Sequence, residues 1–313
     1  MIIVPAGFKN FERVRISMKF GISVYSISRK ITSGEITPQK AVGWLAAEAG
    51  AETIEIVPFG IDTVNDANLA KELCQIAKDC GSRIDNYSLN ANFLQLDKAG
   101  YDAEIARVKT HIDGAARLGA VTMRVDMSGY RRKPQDNTVE NFIGDLPLAG
   151  DTYNELCGYA AQYGIMILLE NHGFHINGSE RIGAVLALVK HENFSFQLDA
   201  GNFLCVDENP EIAVKKLAGK AKTIHMKDFY VRDEENDPGD ATQFDCSGSW
   251  FRSQHRAYLR GSILGQGDMN MKKISKIIKN SGFDGCAYLE YEGMEDCYYG
   301  TKVGFDNMKK LLT

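Results

Sequence analysis

The stretch QYGIMILLENHG, residues 162–173, decides how the rest of the chain is read. It passes through Gly164 into the large apolar run Ile165–Leu169 and turns abruptly polar at Glu170, Asn171 and His172. A short, continuously apolar run of this kind suits a strand buried on both faces. The glycine before it supplies the left-handed residue that ends a helix. The unit is therefore helix, glycine, buried strand and polar exit.

The same unit recurs in EAGAETIEIV around Gly50, DCGSRIDNYS around Gly81, RLGAVTMRV around Gly119 and NSGFDGCAYLE around Gly282. Strands are predicted at 19–26, 53–57, 84–88, 122–125, 165–170, 194–198, 222–225 and 287–290. Helices are predicted between them, at 69–80, 102–118, 151–163, 180–190, 211–217, 271–280 and 301–312. An earlier helix starts at ITPQKAVGWLAAEAG, where Thr37 can cap, Pro38 suits the first turn, and Val42, Leu45, Ala46 and Ala49 share an apolar face. About eight such units predict an α/β fold, a single-domain (β/α)8 TIM barrel over residues 18–313, behind an N-terminal extension of residues 1–17. An open doubly wound sheet has little support, because no glycine-rich phosphate motif follows the first strand. Polar excursions at 126–150 and 229–268 fall on the strand-exit side, where barrels build sites and lids; solvated loops or oligomer contacts are the alternative.

Composition narrows the partners. The 313 residues are 44% hydrophobic and carry a formal net charge of −5, which disfavours a nucleic-acid backbone or an anionic membrane surface and favours a small neutral or polar substrate. No apolar run approaches the roughly 20 residues of a membrane span. The N-terminus lacks a signal-peptide layout, and seven scattered cysteines without a C-x-x-C read as reduced thiols in a cytoplasmic protein.

The last four predicted strands each end on a ligand-type side chain: Glu170 in MILLENHG, Asp199 in FQLDAGNF, His225 in TIHMKDF and Glu290 in AYLEYEG. Neighbouring strand ends share one rim of a barrel, so the four converge. Three carboxylates and one imidazole form a hard pocket suited to Mn²⁺ or Mg²⁺, with Zn²⁺ or Co²⁺ also admissible, and without a cation the carboxylates repel one another. Each of the four alone reads as an ordinary surface or capping residue; four in succession do not. His172 lies two residues beyond Glu170 and faces the same rim, as a substrate contact, a general base or a histidine bonded to nearby backbone. Lys227 and Asp228 follow His225 as candidate substrate-binding residues, or the two form a surface ion pair. Tyr25, Glu55, Asn90 and Asn92 are candidate pocket residues, and Arg260 with Gly265 and Gly267 can let backbone approach a substrate.

LLENHG, LDAGNF, IHMKDF, YLEYEG and GSILGQGDMN together resemble the xylose isomerase-like barrels from Met18 onward. That family includes sugar isomerases, ketose 3-epimerases, inosose dehydratase and endonuclease IV. The resemblance implies a metal held by Glu170, Asp199, His225 and Glu290, with the two glutamates exchanging protons beside a carbonyl. Asn202 stands where the ketose 3-epimerases have a histidine, a departure from that subgroup. The leading expectation is a keto-sugar isomerase or epimerase working through an enediolate. The alternative is a lyase, of the inosose dehydratase kind or similar to the α-subunit of C-glycoside deglycosidases in MKFGISVYS, YLRGSILGQGD and YLEYEGMEDCYYG; that resemblance implies a smaller partner subunit. Few histidines and no basic groove disfavour the nuclease. A metal-free sugar-binding barrel is the non-enzymatic alternative.

Overall fold

The computed structural model describes residues 18–128, 132–236 and 250–313. The expected extension 1–17, Cys246 and parts of both polar excursions lie outside the described residues. Eight parallel strands close a barrel: β1 (Lys19–Ser23), β2 (Thr53–Ile56), β3 (Ile84–Leu89), β4 (Thr122–Val125), β5 (Met166–Glu170), β6 (Phe194–Asp199), β7 (Ala221–Met226) and β11 (Cys286–Leu289). Closure comes from β1 against β11, with Ile22 opposite Leu289. The glycines that mark the repeating unit do what the sequence asks of them: Gly50, Gly81, Gly119, Gly164 and Gly282 all have φ between 67° and 81°. Each reverses the chain from a helix end into a strand.

Helix starts are equally local. Asp66, Asp97, Thr138, Asn209, Asn270 and Asp296 each accept an amide hydrogen bond in the first turn of the helix that follows. Thr37 caps the Pro38–Gly43 helix as expected. Two expectations need correction. The helix expected at 151–163 begins at Val139 and runs to Ala161, so the later half of the excursion 126–150 is helical, with Pro147 inside it. The excursion after β7 is ordered where described: β8 (Asp228–Asp233), β9 (Phe251–Arg252) and β10 (Ala257–Ser262) form an antiparallel sheet in the order β8-β10-β9. Phe229, Phe251, Ala257 and Leu259 pack with Cys205 as its own small core.

Alternate residues on each strand point inward. Tyr288, fully buried, leans over Gly21, where a Cβ would come within 2.5 Å of its ring. Above it the interior turns polar. Asn86 donates to Glu55 (2.6 Å) and across the barrel to Gln197 (2.8 Å), and Thr223 donates to Gln197 at 3.0 Å. This hydrogen-bonded layer forms the floor on which the strand-exit residues stand. Among the described residues, no helix is long and apolar enough to cross a membrane.

Candidate metal centre and substrate cleft

Glu170 and Asp199 end β5 and β6, His225 lies on β7, and Glu290 follows β11. The four sequence-predicted ligands meet at one point. His225 Nδ1 lies 3.1 Å from Glu170 Oε1, 3.5 Å from Glu290 Oε2 and 3.8 Å from Asp199 Oδ2. Its other nitrogen, Nε2, is 2.9 Å from Glu55 Oε2, which also accepts Asn86 and Ser88. A carboxylate on Nε2 places the hydrogen there and turns Nδ1 toward the three carboxylates as a lone pair. Asp199 is oriented in the same way. Its Oδ1 accepts the Gly201 and Asn202 amides, leaving Oδ2 to face His225.

These donors fit a divalent cation. Glu170, Asp199 and His225 each offer an atom within 4.8 Å of the others, and Asp199 Oδ2 and His225 Nδ1 are buried without hydrogen-bond partners. Electrostatics agree. Burial and the nearby Glu290 and Glu170 charges, partly offset by Lys227, push Asp199 up to about 6. Burial disfavours charge on His225, yet Glu55 and Glu290 outweigh it and raise the imidazole well above its ordinary value. Burial leads the Asp199 shift and the surrounding carboxylates drive the His225 shift; a cation at Nδ1 would ease both in place of a proton.

Two side-chain cations flank the point. The Lys227 ammonium lies 2.5 Å from Glu290, 3.2 Å from Asp199 and 3.1 Å from Glu292. Arg124 on β4 lies 3.1 Å from Glu170 and 2.7 Å from Asp126. Burial by itself would raise Glu170, but Arg124 and His225 hold it down at about 2. His172 Nδ1 is 2.9 Å from Asp126 Oδ2. Burial opposes its protonation, Asp126 favours it more strongly, and the imidazole is raised above 6.5.

A cleft opens onto this cluster, lined on one side by Tyr25, Val57 and Phe59 and on the other by Glu170, His172, Lys227, Glu290 and Glu292, with Asn90 and Arg124 between. Tyr25 and Phe59 are 5.9 Å apart, ring to ring. Other expected contacts lie elsewhere. The Asp228 carboxylate accepts the amides of Phe229, Gly265 and Gly267, so it shapes the glycine-rich loop and not the cleft. Arg260 sits on β10 between the rings of Tyr230 and Trp250, 5.0 Å from each. Asn202 is buried beneath Lys227, its Oδ1 3.4 Å from Nζ, and Asn92 is tied to Glu104 and Leu94.

Sequence reasoning missed Arg124, Asp126, Gln197, Phe59 and Glu292. The signal for the first two was present: TMRVD ends a strand on charge just as MILLE does, with Thr122, Arg124 and Asp126 on one face.

The family description "xylose isomerase-like TIM barrel" matches residues 45–310. An inosose dehydratase of Lacticaseibacillus casei is 24% identical over 177 residues, covering 54% of this chain and 52% of that protein, so the chain spans about half the length of the curated relatives it matches. A xylose isomerase-like TIM barrel protein of Mycobacterium smegmatis, solved with magnesium, superposes with a TM-score of 0.66 at 16% identity over 95% of this chain and 98% of that one. The 3-keto-D-glucoside 4-epimerase of E. coli gives 0.65 at 13% identity over 94% and 100%.

Proposed function

Because the chain belongs to the xylose isomerase-like TIM barrel family, we propose that it is a cytoplasmic, divalent-metal-dependent sugar enzyme that removes a proton next to the ketone of a keto-sugar, acting as an isomerase or epimerase. The observation that carries this reading is the meeting of Glu170, Asp199 and Glu290 on one nitrogen of His225 while Glu55 fixes the other. Mn²⁺ or Mg²⁺ suits that donor set best, with Zn²⁺ or Co²⁺ admissible. When bound, such an ion polarises the ketone and favours the enediolate left by proton loss.

The chain's own groups do the rest. The wall of Tyr25, Val57 and Phe59 packs the C–H face of the sugar and excludes water. Asn90, Lys227 and Glu292 offer hydrogen bonds to hydroxyls. Glu170 ends β5 and Glu290 follows β11, on either side of β6 and β7, so one takes a proton and the other returns one on the opposite face, which inverts the carbon. Return by the same group to the neighbouring carbon of the enediolate gives isomerisation.

A second reading is favoured by the His172–Asp126 pair, a base with its own orienting carboxylate at the cleft. With His172 as base, the same first step leads to expulsion of a group one carbon further away. The enzyme is then a lyase acting on an inosose or a 3-keto C-glycoside, and in the latter case an oligomer with a small partner subunit. NMR of the metal-loaded protein in D₂O with ketoses, inososes and 3-keto glycosides tests both readings. Deuterium at a carbon beside the ketone is the expected result, and a released aglycone or an unsaturated product identifies the lyase. Failure to hold any divalent ion, with no exchange in any substrate, leaves only a sugar-binding barrel.

A further inference from the structure

The metal-type donors do not stop at His225. Asp126, Glu170 and His172 form a second set whose donor atoms lie within 4.8 Å of one another, sharing Glu170 with the first. Two carboxylates and an imidazole match the ligands of a divalent ion. Asp126 Oδ1 in this set is buried without a hydrogen-bond partner. A guanidinium already spans the set: Arg124 Nη1 lies 2.7 Å from Asp126 Oδ2, and Nε lies 3.1 Å from Glu170 Oε2. The same Nη1 reaches the Leu89 carbonyl at 3.2 Å and Asn90 Oδ1 at 3.0 Å, so backbone and side chain of the third exit loop hold Arg124 in place. Arg124 itself is 4% exposed.

We propose that Arg124 is a built-in cation that occupies what would otherwise be a second divalent-metal site formed by Asp126, Glu170 and His172. The inference rests on the metal reading of the first site, whose ligand Glu170 it shares. A guanidinium is always charged, planar and weakly hydrated, so it bridges two buried carboxylates without exchanging with solvent ions. It offsets part of the negative charge of Glu170 and Asp126 from the β4 side and leaves the other Glu170 oxygen for the His225 side. His172 then keeps its hydrogen bond to Asp126 and stays available for proton transfer, where metal ligation would have consumed its lone pair. One residue thereby separates a one-metal centre with an adjacent acid–base pair from a two-metal centre bridged by Glu170.

The test compares wild type with Arg124→Met, Arg124→Lys and the double variant Arg124→Met/Asp126→Asn. Each is saturated with Mn²⁺, passed through gel filtration and assayed for bound manganese per chain by mass spectrometry, with electron paramagnetic resonance to detect coupled ions. Arg124→Met should hold one ion more than wild type and show spin coupling, while Arg124→Lys and the double variant should match wild type. Equal counts in Arg124→Met and wild type, or an extra ion surviving in the double variant, overturn the proposal. A wild type without manganese removes the metal-dependent function but leaves the difference between the variants to decide this point. Should Arg124→Met fail to fold alone, refolding in Mn²⁺ but not in K⁺ supports the proposal, and no refolding in either overturns it.

Discussion

Fixing one nitrogen of a histidine decides what the other can do. Glu55 lies at the base of the site, yet its 2.9 Å contact with His225 Nε2 determines that Nδ1 faces the carboxylates. Glu55→Gln should therefore weaken divalent-metal affinity by ~10- to 100-fold, read by competition with a chromogenic chelator. An unchanged affinity would mean that packing alone orients the ring. Glu170→Gln and Glu290→Gln should each abolish turnover on a substrate found in the D₂O screen; near wild-type turnover in either sinks the two-carboxylate scheme. His172→Ala separates the two chemistries. If the imidazole only contacts substrate, KM rises and kcat holds; if it is the base, kcat falls by about 10²-fold or more.

At the scale of elements, the helix-to-strand turn is a backbone device that side chains barely support. Gly164 has φ of 67° and nothing within 4 Å of the place a Cβ would take, so its cost on substitution is conformational alone. Gly164→Ala should lose about 1–2 kcal/mol in denaturant unfolding with kcat unchanged. The helix Lys98–Arg117 is held to β3 partly by Tyr87, whose hydroxyl lies 2.8 Å from His111 Nδ1. Burial first, and then Arg107, lower His111 to about 4. An unfolded histidine takes its proton near 6.5 and the folded one only near 4, so stability present above pH 6.5 drains away as pH falls through that window. Urea midpoints should show this slope in wild type and a shallower one in His111→Gln; identical slopes would exclude His111 as its source. Such local devices are also what the sequence makes legible. The strand Thr122–Val125 and the helix Met271–Asn280 have their expected bounds, because a glycine or a capping residue marks each. The helix from Val139 is not legible before Asp151, since Pro147 and Gly150 read as breakers although the surrounding packing tolerates them. The sheet β8-β10-β9 depends on pairing between distant segments, which no local pattern encodes.

For the whole molecule, the dominant fact is a buried excess of negative charge at one end of the barrel. Glu55, Asp126, Glu170, Asp199 and Glu290 are buried together, and Arg124 and Lys227 offset only part of them. Removal of divalent ions by a chelator should lower Tm, and Mn²⁺ at a hundred times its Kd should return ~2.7 kcal/mol of stability. A Tm indifferent to both would argue that the side-chain cations suffice. The four converging donors were legible because they repeat a rule, one donor per strand exit; Arg124 was not, because it sits inside an apolar run and its meaning depends on Glu170 across a strand boundary. Barrel closure adds a kinetic consequence. The first and last barrel strands, β1 and β11, are each other's neighbours, so the slowest contact to form joins residues far apart in the chain. Glu290 arrives only with β11. During synthesis the nascent barrel therefore carries an incomplete donor set until that strand emerges, and under the proposed metal-dependent function uptake of an ion would mark the end of folding.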